Sequence, residues 1–568
     1  MFKNVMTVVL LFAAILTGCS QKGVSTYEGN WEGKLAHTNT LNFDLVLEEL
    51  PSNLCQLTIT NPESTISEML TVTNTNRLEG SIDNDIHIDL SFTEDKTAVT
   101  GFIKSGILMY QVILRKTDEV YKGIWNPFMV DNLQSQAMYL GVENNGDGSL
   151  DMYPFFGDQR FTGTWVNGSE KEGNVIVFKD YKTGLRFRAK LTEDTIELET
   201  LLGKQTVTVT NFKRSDIDLS SLKPSGPKNQ NANRPVQLND GWATASIEDV
   251  GASSVSLSKL IDEVNKKVLP NTHSVLIAKE GKLIFEAYFD GHNPDISHDQ
   301  RSASKSISSA MIGIAIDDKI LAGVDQKLYD CIPQEFHYTK DSLKAKINFE
   351  DLLTMSSGLD VDGDASENNY QSSDHWLKTT LEAKMIHDPG TYANYGSANP
   401  FLLGVSLDQK LQSPLELYME EKLFAPLGIT NYIIQTENTA TTPYFGGGMY
   451  LTPRDMLKFG QLYLDKGQWK GKQIISENWV EASFKKYRRL QDAKDKNEYG
   501  YLWWHKTYTV GSKKIASIEA RGAGGQYICV IPELESVVVI TSGNYRNRKL
   551  LQQPENILER YVLPAIIK

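Results

Sequence analysis

Ser302 and Lys305 lie three residues apart, directly before a run in which Ile307, Met311, Ile314 and Ala315 recur at helical spacing. A hydroxyl is a poor nucleophile at neutral pH and needs a base beside it. If Ser302 opens the predicted helix, Lys305 lies on the same face and its amine can reach the hydroxyl. The helix N-terminus also favours the negative charge that develops there. The pair therefore indicates nucleophilic catalysis by serine.

The same spacing of serine and lysine occurs elsewhere in the chain, so the pattern alone does not identify the nucleophile. The other matches begin at Ser220, Ser225, Ser256 and Ser483. A solvated serine and lysine on a surface satisfy the pattern equally well. The prediction for Ser302 therefore depends on the segments that accompany it.

Those segments predict a mixed domain over residues 251–568. Ser274–Ala278 and Leu283–Phe289 are apolar runs on either side of a Lys-Glu-Gly-Lys turn, which predicts a hairpin. Gln526–Ile531 and Ser536–Thr541 predict two further strands near the end of the chain. Strands at both ends with helices between them predict an α+β domain whose sheet is closed by both termini.

Residues 24–215 predict an all-β domain, a barrel or a sandwich, because short β-rich runs alternate with turn residues. These runs are Phe43–Leu50, Gln56–Thr60, Ile86–Phe92, Leu108–Leu114, Val175–Phe178 and Thr206–Phe212. No catalytic constellation is visible among them. Residues 216–250 begin with a polar stretch rich in Pro, Ser and Asn, which predicts a linker between the two domains.

The first 19 residues read as a targeting segment. Lys3 precedes an apolar run, Val5–Leu16, that is too short to span a bilayer as a mature helix. The run ends in Leu-Thr-Gly-Cys, which resembles a bacterial lipobox, so Cys19 is the expected lipidation site. Ser20, and not Asp, follows the cysteine. In Gram-negative lipoproteins this resembles the pattern of proteins sent to the outer membrane. We therefore expect a protein anchored in the cell envelope by its lipid, on the periplasmic face of the outer membrane.

The composition excludes several other classes of function. The chain has 568 residues and a net charge of −13, which disfavours a nucleic-acid partner. Its nine histidines form no His-Glu-x-x-His motif and no paired spacing for zinc. The remaining cysteines, Cys55, Cys331 and Cys529, make neither a metal spacing nor a disulfide framework. We expect no metal and no organic cofactor.

Five segments from Ser256 onwards, taken together, resemble the class C β-lactamase and penicillin-binding-protein-like serine hydrolases. The likeness is nearest to the esterase and 6-aminohexanoate-dimer hydrolase branch. The matching segments, in family order, are Arg301–Ser306, Phe349–Leu359, Pro389–Ser397 with its Tyr-Gly-Ser, Gly446–Met456 and Arg521–Tyr527. The resemblance implies a β-lactamase/transpeptidase-like domain with an antiparallel sheet flanked by helices.

The resemblance also implies a role for each matched residue. Ser302 attacks the carbonyl and Lys305 accepts its proton. Tyr395 is a second base or a proton shuttle to the leaving group, and which of the two is the base stays open. The backbone amides of Ser302 and Ala523 form the oxyanion hole.

The closing strand departs from the family pattern. Members that recognise penicillin carry Lys-Thr-Gly there, whereas this chain has Ala520-Arg521-Gly522. Because the lysine that helps to hold the substrate carboxylate is absent, we do not expect efficient β-lactamase activity. Ser397 replaces the usual Asn of the second motif. Ser397, Arg521, Gly522 and Gly524 are the expected residues on the substrate side of the site.

These features predict a serine hydrolase that cleaves a small-molecule ester or amide through an acyl-serine intermediate. One alternative is a D-amino-acid peptidase or transesterase acting on cell-wall peptide, which the envelope location favours. Another is a sensor or binding protein that is acylated but never turns over. The presence of all three catalytic residue types argues against a dead site.

We predict that the mature protein begins at a lipidated Cys19, because the apolar run stops at that cysteine. Mass spectrometry of the N-terminal peptide should show the added acyl mass. An unmodified N-terminus at another residue would contradict the prediction.

Overall fold

The computed structural model describes residues 27–567, apart from 74–75, 147–148, 159, 161–163, 165, 220–221, 223–234, 362, 439–440, 492–496, 546 and 548. The predicted leader and Cys19 therefore lie outside the described residues, as does most of the polar half of the predicted linker. The chain divides into two compact units, Met1–Ser225 and Gly226–Lys568. No helix of the described part is long and apolar enough to cross a membrane.

The first unit is all β, as predicted. Its strands, β1 to β16, are Gly29–Lys34, Phe43–Leu50, Leu54–Thr60, Thr65–Val72, Arg77–Ile82, Ile86–Phe92, Ala98–Ser105, Leu108–Thr117, Val120–Trp125, Ala137–Asn144, Leu150–Phe156, Val166–Glu172, Val175–Asp180, Arg186–Leu191, Thr195–Leu202 and Gln205–Ser215. Each of the six runs identified in the sequence lies within one of these strands.

Strands β2 to β9 form a closed antiparallel ring, because β9 pairs with both β2 and β8. A second antiparallel sheet has the order β11-β10-β1-β16-β15-β14-β13-β12. Alternate side chains point inwards along these strands, as the burial pattern of β3 shows, and Trp31 and Trp125 are buried in the core. Closure of the ring removes its exposed strand edges.

The second unit combines a sheet with helices. Its strands, β17 to β30, are Ala243–Thr244, Thr272–Lys279, Lys282–Tyr288, His298–Asp299, Ile433–Gln435, Met449–Leu451, Gln468–Trp469, Lys472–Gln473, Arg488–Arg489, Glu498–Tyr499, Trp504–Val510, Lys513–Gly522, Gln526–Ile531 and Ser536–Ser542. Its α-helices, α1 to α12, are Val255–Asn265, Lys305–Asp317, Phe349–Leu353, Gly363–Gln371, Trp376–Glu382, Ala398–Asp408, Leu415–Met419, Ala425–Leu427, Pro453–Leu464, Glu477–Ser483, Gln553–Ile557 and Leu563–Ile566.

Single turns of other helix types connect these elements. The 3-10 turns are Glu248–Val250, Arg301–Ser304, Leu328–Asp330, Gln334–Thr339, Lys344–Lys346 and Pro532–Leu534, and the π turns are Glu420–Phe424 and Leu558–Val562.

The main sheet of this unit has the order β17-β19-β18-β30-β29-β28-β27-β26-β25. The predicted hairpin is β18–β19, with Lys279 paired to Lys282, and β18 also pairs with the late strand β30. Both ends of the domain therefore close one sheet, as the sequence predicted. Side chains of α1, α11 and α12 join one face of its core.

Helix α9 packs on the opposite face of this sheet. A Cβ built on Gly460 of α9 would lie 2.4 Å from Val537 of β30 and 2.8 Å from Ile528 of β29. A glycine at this position therefore allows the helix to lie directly on the strands. The predicted α+β architecture is confirmed.

The second half of the predicted linker belongs to the second unit. Arg454 on α9 donates to Asp240 at 2.8 Å and to the carbonyl of Val236 at 2.7 Å, and it also binds Glu286. Trp242 is buried and donates its indole N–H to the carbonyl of Arg454. The segment is therefore tied to the second unit through a buried arginine and a buried tryptophan, although residues 236–239 are themselves exposed.

We predict that a fragment of residues 235–568 is more stable than one of residues 251–568. The shorter fragment leaves Arg454 without Asp240 and without the carbonyl of Val236. Each lost hydrogen bond to a charged group costs about 1.5–3 kcal/mol. Urea unfolding of both fragments measures the difference. Equal free energies of unfolding would show that the segment contributes nothing to the fold.

Candidate active site

Ser302 lies on the 3-10 turn Arg301–Ser304, which leads directly into α2. Arg301 has a φ of 49°, a backbone conformation that a non-glycine residue seldom adopts. Asp299 holds it there: its carboxylate accepts from the Arg301 backbone N–H at 2.9 Å and pairs with the guanidinium Nε at 3.1 Å. The turn leaves Ser302 half-buried, while the residues that follow it are buried.

The amine of Lys305 is buried and fixed by acceptors from three parts of the chain. Its Nζ donates to Ser302 Oγ at 2.8 Å, to Ser397 Oγ at 3.0 Å and to the carbonyl of Gly446. Three acceptors therefore surround the amine, and a neutral amine would donate to two of them and accept from the Ser302 hydroxyl. The amine is therefore held against the hydroxyl that it is predicted to activate.

Two other serine and lysine pairs of the same spacing can be compared with this one. Ser256 donates to the carbonyl of Tyr561 at 2.7 Å, and Ser483 donates to the carbonyl of Trp479 at 2.7 Å. Both hydroxyls satisfy the backbone, whereas Ser302 accepts from its lysine. The matches at Ser220 and Ser225 include residues outside the described part of the chain.

Tyr395 lies in the loop before α6, and the structure brings it to the same place. Lys305 Nζ is 5.1 Å from the centre of its ring. The ring also packs against Trp504, with centroids 5.2 Å apart, and against Tyr499, at 6.4 Å. Tyr395 is half-buried.

The end of β28 approaches the Ser302 turn closely at Gly522. A Cβ built on Gly522 would lie 2.1 Å from the Gln300 carbonyl oxygen and 3.1 Å from the Ala303 nitrogen. A glycine is therefore needed at this point. Ala523 follows in the next turn, and its carbonyl accepts from Gln526 Nε2 at 3.3 Å. The strand thus carries the Ala523 amide towards the nucleophile, and its place in an oxyanion hole stays a prediction.

Arg521 is engaged within its own domain. Its guanidinium donates to Glu519 at 2.7 Å and to Glu555 at 3.0 Å. These contacts stabilise β28, and they give no support to the expected substrate-side role of Arg521. Gly524 has a φ of 85°, and a Cβ there would lie 2.5 Å from the Tyr545 ring, so the turn itself requires a glycine.

The structure adds two groups that sequence reasoning missed. The first is the carbonyl of Gly446, which accepts from Lys305. The second is Glu367 on α4, which accepts from Ser397 Oγ at 2.9 Å. Glycine lies within a matched segment but carries no functional group, and Glu367 lies in a polar stretch with no pattern of its own. Neither could be found from residue type and spacing.

Three histidines also converge in the fold: His273 on β18, His292 after β19, and His298 on β20. One ring nitrogen from each lies within 4.8 Å of those of the other two. His273 and His298 share a hydrogen bond of 2.8 Å, while His273 and His292 stack with centroids 4.1 Å apart and planes at 14°. The three side chains thus form a group joined by a hydrogen bond and a ring stack, with nitrogen atoms close enough to hold a metal ion.

Burial disfavours the charged form of two of these histidines. It lowers the pKa of His298 to about 4, and it lowers the pKa of His273 well below its ordinary value, with the neighbouring imidazoles acting in the same direction. His298 and Asp299 form the short strand β20, and the turn that carries Ser302 begins two residues later. The cluster therefore packs next to the segment that leads into this turn.

Comparisons with known proteins agree with this arrangement. The model of the "Beta-lactamase" family matches residues 261–561, more than half of the chain. The 6-aminohexanoate-dimer hydrolase of Paenarthrobacter ureafaciens is 23% identical over 294 residues, 47% of this chain and 71% of that protein. Beta-lactamase-like protein 4 of Dictyostelium discoideum is 27% identical over 196 residues, 30% of this chain and only 34% of that protein.

Solved structures include weaker likenesses. A family VIII carboxylesterase aligns with a TM-score of 0.42 and 13% identity, covering 54% of this chain and 98% of that one. The octameric penicillin-binding protein homologue from Pyrococcus abyssi aligns with a TM-score of 0.42 and 17% identity, covering 55% of this chain and 78% of that one. On the extent of the family match and the five segments in order, this chain belongs to the beta-lactamase family.

Proposed function

We propose that this protein is a serine hydrolase that cleaves an ester or amide bond through an acyl-serine intermediate. The observation that carries the proposal is the 2.8 Å hydrogen bond between Lys305 Nζ and Ser302 Oγ, made by a buried amine at the start of a helix. Membership of the family and the similarity to a 6-aminohexanoate-dimer hydrolase support the hydrolytic class.

In the proposed reaction, Ser302 Oγ attacks the carbonyl carbon and its proton passes to Lys305 or Tyr395. The oxyanion accepts hydrogen bonds from the amides of Ser302 and Ala523, and one such donor is worth about 3 kcal/mol. The intermediate collapses, the leaving group takes the proton, and an acyl-serine remains. A water molecule then attacks the acyl carbon and gives its proton to the base. The Ser302 oxygen leaves and takes that proton, and the acid is released.

We propose a substrate other than a β-lactam. The position of the lysine in the family's Lys-Thr-Gly holds Ala520 here, and the guanidinium of Arg521 binds Glu519 and Glu555. A substrate carboxylate would have to compete with two carboxylates of the protein for that cation. This favours esters or amides without the carboxylate that penicillins present at that position.

We also propose that a lipid on Cys19 holds the enzyme in the cell envelope, on the periplasmic face of the outer membrane. The lipobox-like sequence supports the anchor, and Ser20 supports the destination. The enzyme would then meet small substrates that cross the outer membrane. The lipid would provide the attachment, without a membrane-spanning helix.

A panel of substrates tests the reaction class on the chain from about residue 24. It comprises short-chain esters, linear amides, D-Ala-D-Ala peptides and a β-lactam. We expect turnover of esters or amides and little of the β-lactam. Preferential cleavage of D-Ala-D-Ala peptides would favour the cell-wall peptidase instead, and a single acylation without further turnover would favour a sensor.

We predict that Ser302→Ala abolishes both turnover and covalent labelling by a fluorophosphonate. The same reagent should label Ser256→Ala and Ser483→Ala at the rate of the unmodified protein, because these hydroxyls bond to backbone carbonyls away from a base. Intact-protein mass spectrometry follows the added mass. Labelling that persists in Ser302→Ala would move the nucleophile elsewhere.

We predict that Lys305→Ala and Tyr395→Phe each lower kcat/KM by about 10²- to 10⁴-fold, since each removes a group that can carry a proton. Tyr395→Phe keeps the ring that packs on Trp504, so its thermal melting temperature should not change. The double variant should be little worse than the worse single variant, because the residues act as a unit. Strictly additive losses would argue for independent roles.

A further inference from the structure

Glu367 is a carboxylate that is bound from three directions next to the catalytic amine. Its Oε2 accepts from Ser397 Oγ at 2.9 Å. Its Oε1 accepts from the Tyr444 hydroxyl at 2.7 Å and from Gln371 Nε2 at 3.2 Å. Three donors therefore converge on this one carboxylate and fix the side chain on one side of the site.

Ser397 connects the Glu367 carboxylate to Lys305, and the single proton of its hydroxyl fixes the direction of the two hydrogen bonds. A hydroxyl has one proton, and Ser397 gives that proton to the carboxylate. Its lone pairs are therefore left to accept from Lys305 Nζ at 3.0 Å. The chain of donation runs from the amine through Ser397 to Glu367, and every polar group in it is committed.

The other charged and titratable groups around Lys305 and Glu367 do not interrupt the hydrogen bonds that connect them through Ser397. Tyr444 and Tyr370 share a hydrogen bond beside Glu367, and burial raises the pKa of both hydroxyls well above the ordinary value, so both stay neutral. The Tyr395 ring lies 5.1 Å from Lys305 Nζ. Arg301 is paired with Asp299, and the charge of Glu367 also stabilises its guanidinium. Glu367 is therefore the carboxylate that reaches the amine through a hydrogen-bonded path.

We propose that Glu367 is a positioning residue that holds Lys305 through Ser397 and stabilises the ammonium formed when Lys305 takes the proton of Ser302. This rests on the proposed function. An anion close to an amine in a region sheltered from water favours the protonated amine. Its role toward the lysine parallels that of the buried aspartate that orients the histidine base in serine proteases.

The reaction with a fluorophosphonate tests the proposal without a known substrate. Ser302 Oγ forms a bond to phosphorus, the P–F bond breaks, fluoride leaves, and the Ser302 proton passes to Lys305. The rate of labelling of the full soluble chain is measured against pH for the unmodified protein, for Glu367→Gln and for Asn368→Ala. Asn368 is exposed on the same helix and serves as the matched control.

We expect Glu367→Gln to label at least about tenfold more slowly at its optimum. Its acid limb should also move to lower pH, because the neutral amide no longer favours the protonated amine. Asn368→Ala should match the unmodified protein. Ser397→Ala removes the connecting hydroxyl and should move the limb in the same direction, which keeps the test valid if Glu367→Gln melts at a lower temperature.

Three results would overturn the proposal. A folded Glu367→Gln with an unchanged rate and profile would show that the carboxylate does not act on Lys305. A slower rate with an unmoved acid limb in both variants would assign Glu367 a purely structural role. An unmodified protein that is not labelled at Ser302 would overturn the proposed function itself, and this inference with it.

Discussion

The amine of Lys305 is buried, and a buried amine is costly unless each of its N–H groups has an acceptor. The acceptors come from Ser302, Ser397 and Gly446, which belong to separate segments of the chain. Satisfying one amine therefore forces the nucleophile turn, the start of α6 and the glycine-rich loop to meet. The same contacts that make the burial tolerable also place the amine 2.8 Å from the Ser302 hydroxyl, so the stability of the fold and the proposed chemistry depend on one set of contacts.

Close packing of backbone on the other side of Ser302 completes the arrangement. Gly522 lets β28 touch the turn, and the ion pairs of Arg521 with Glu519 and Glu555 stabilise that end of the strand. The family's Lys-Thr-Gly uses a cation at this strand to meet the substrate. Here the cation one position along, Arg521, binds two carboxylates of the protein itself.

The two units solve the problem of burying a core in different ways. In the first unit the ring of β2 to β9 closes on itself, so alternate side chains point inwards without any helix. In the second unit the sheet is covered on one face by α9 and on the other by α1, α11 and α12, and Ser302 lies where the end of β28 meets the turn that leads into α2. Segment 235–250 belongs to this second core, because Trp242 and Asp240 pack on Arg454.

The sequence by itself determined what depends on near neighbours along the chain. Local backbone geometry sets three features that the structure contains. These are the three-residue step from Ser302 to Lys305, the β18–β19 hairpin, and the alternation of buried and less buried side chains in the N-terminal strands. Five segments in family order extended this to the fold of the second unit. The family resemblance already placed Ser397 at the site, but only the tertiary structure decided that it joins Lys305 to Glu367. Ser397 and Gly446 lie 92 and 141 residues beyond Lys305, and Glu367, the histidine cluster and the partners of Arg521 carry no periodic signal. Their positions follow from loop conformation and close packing, which residue spacing does not encode.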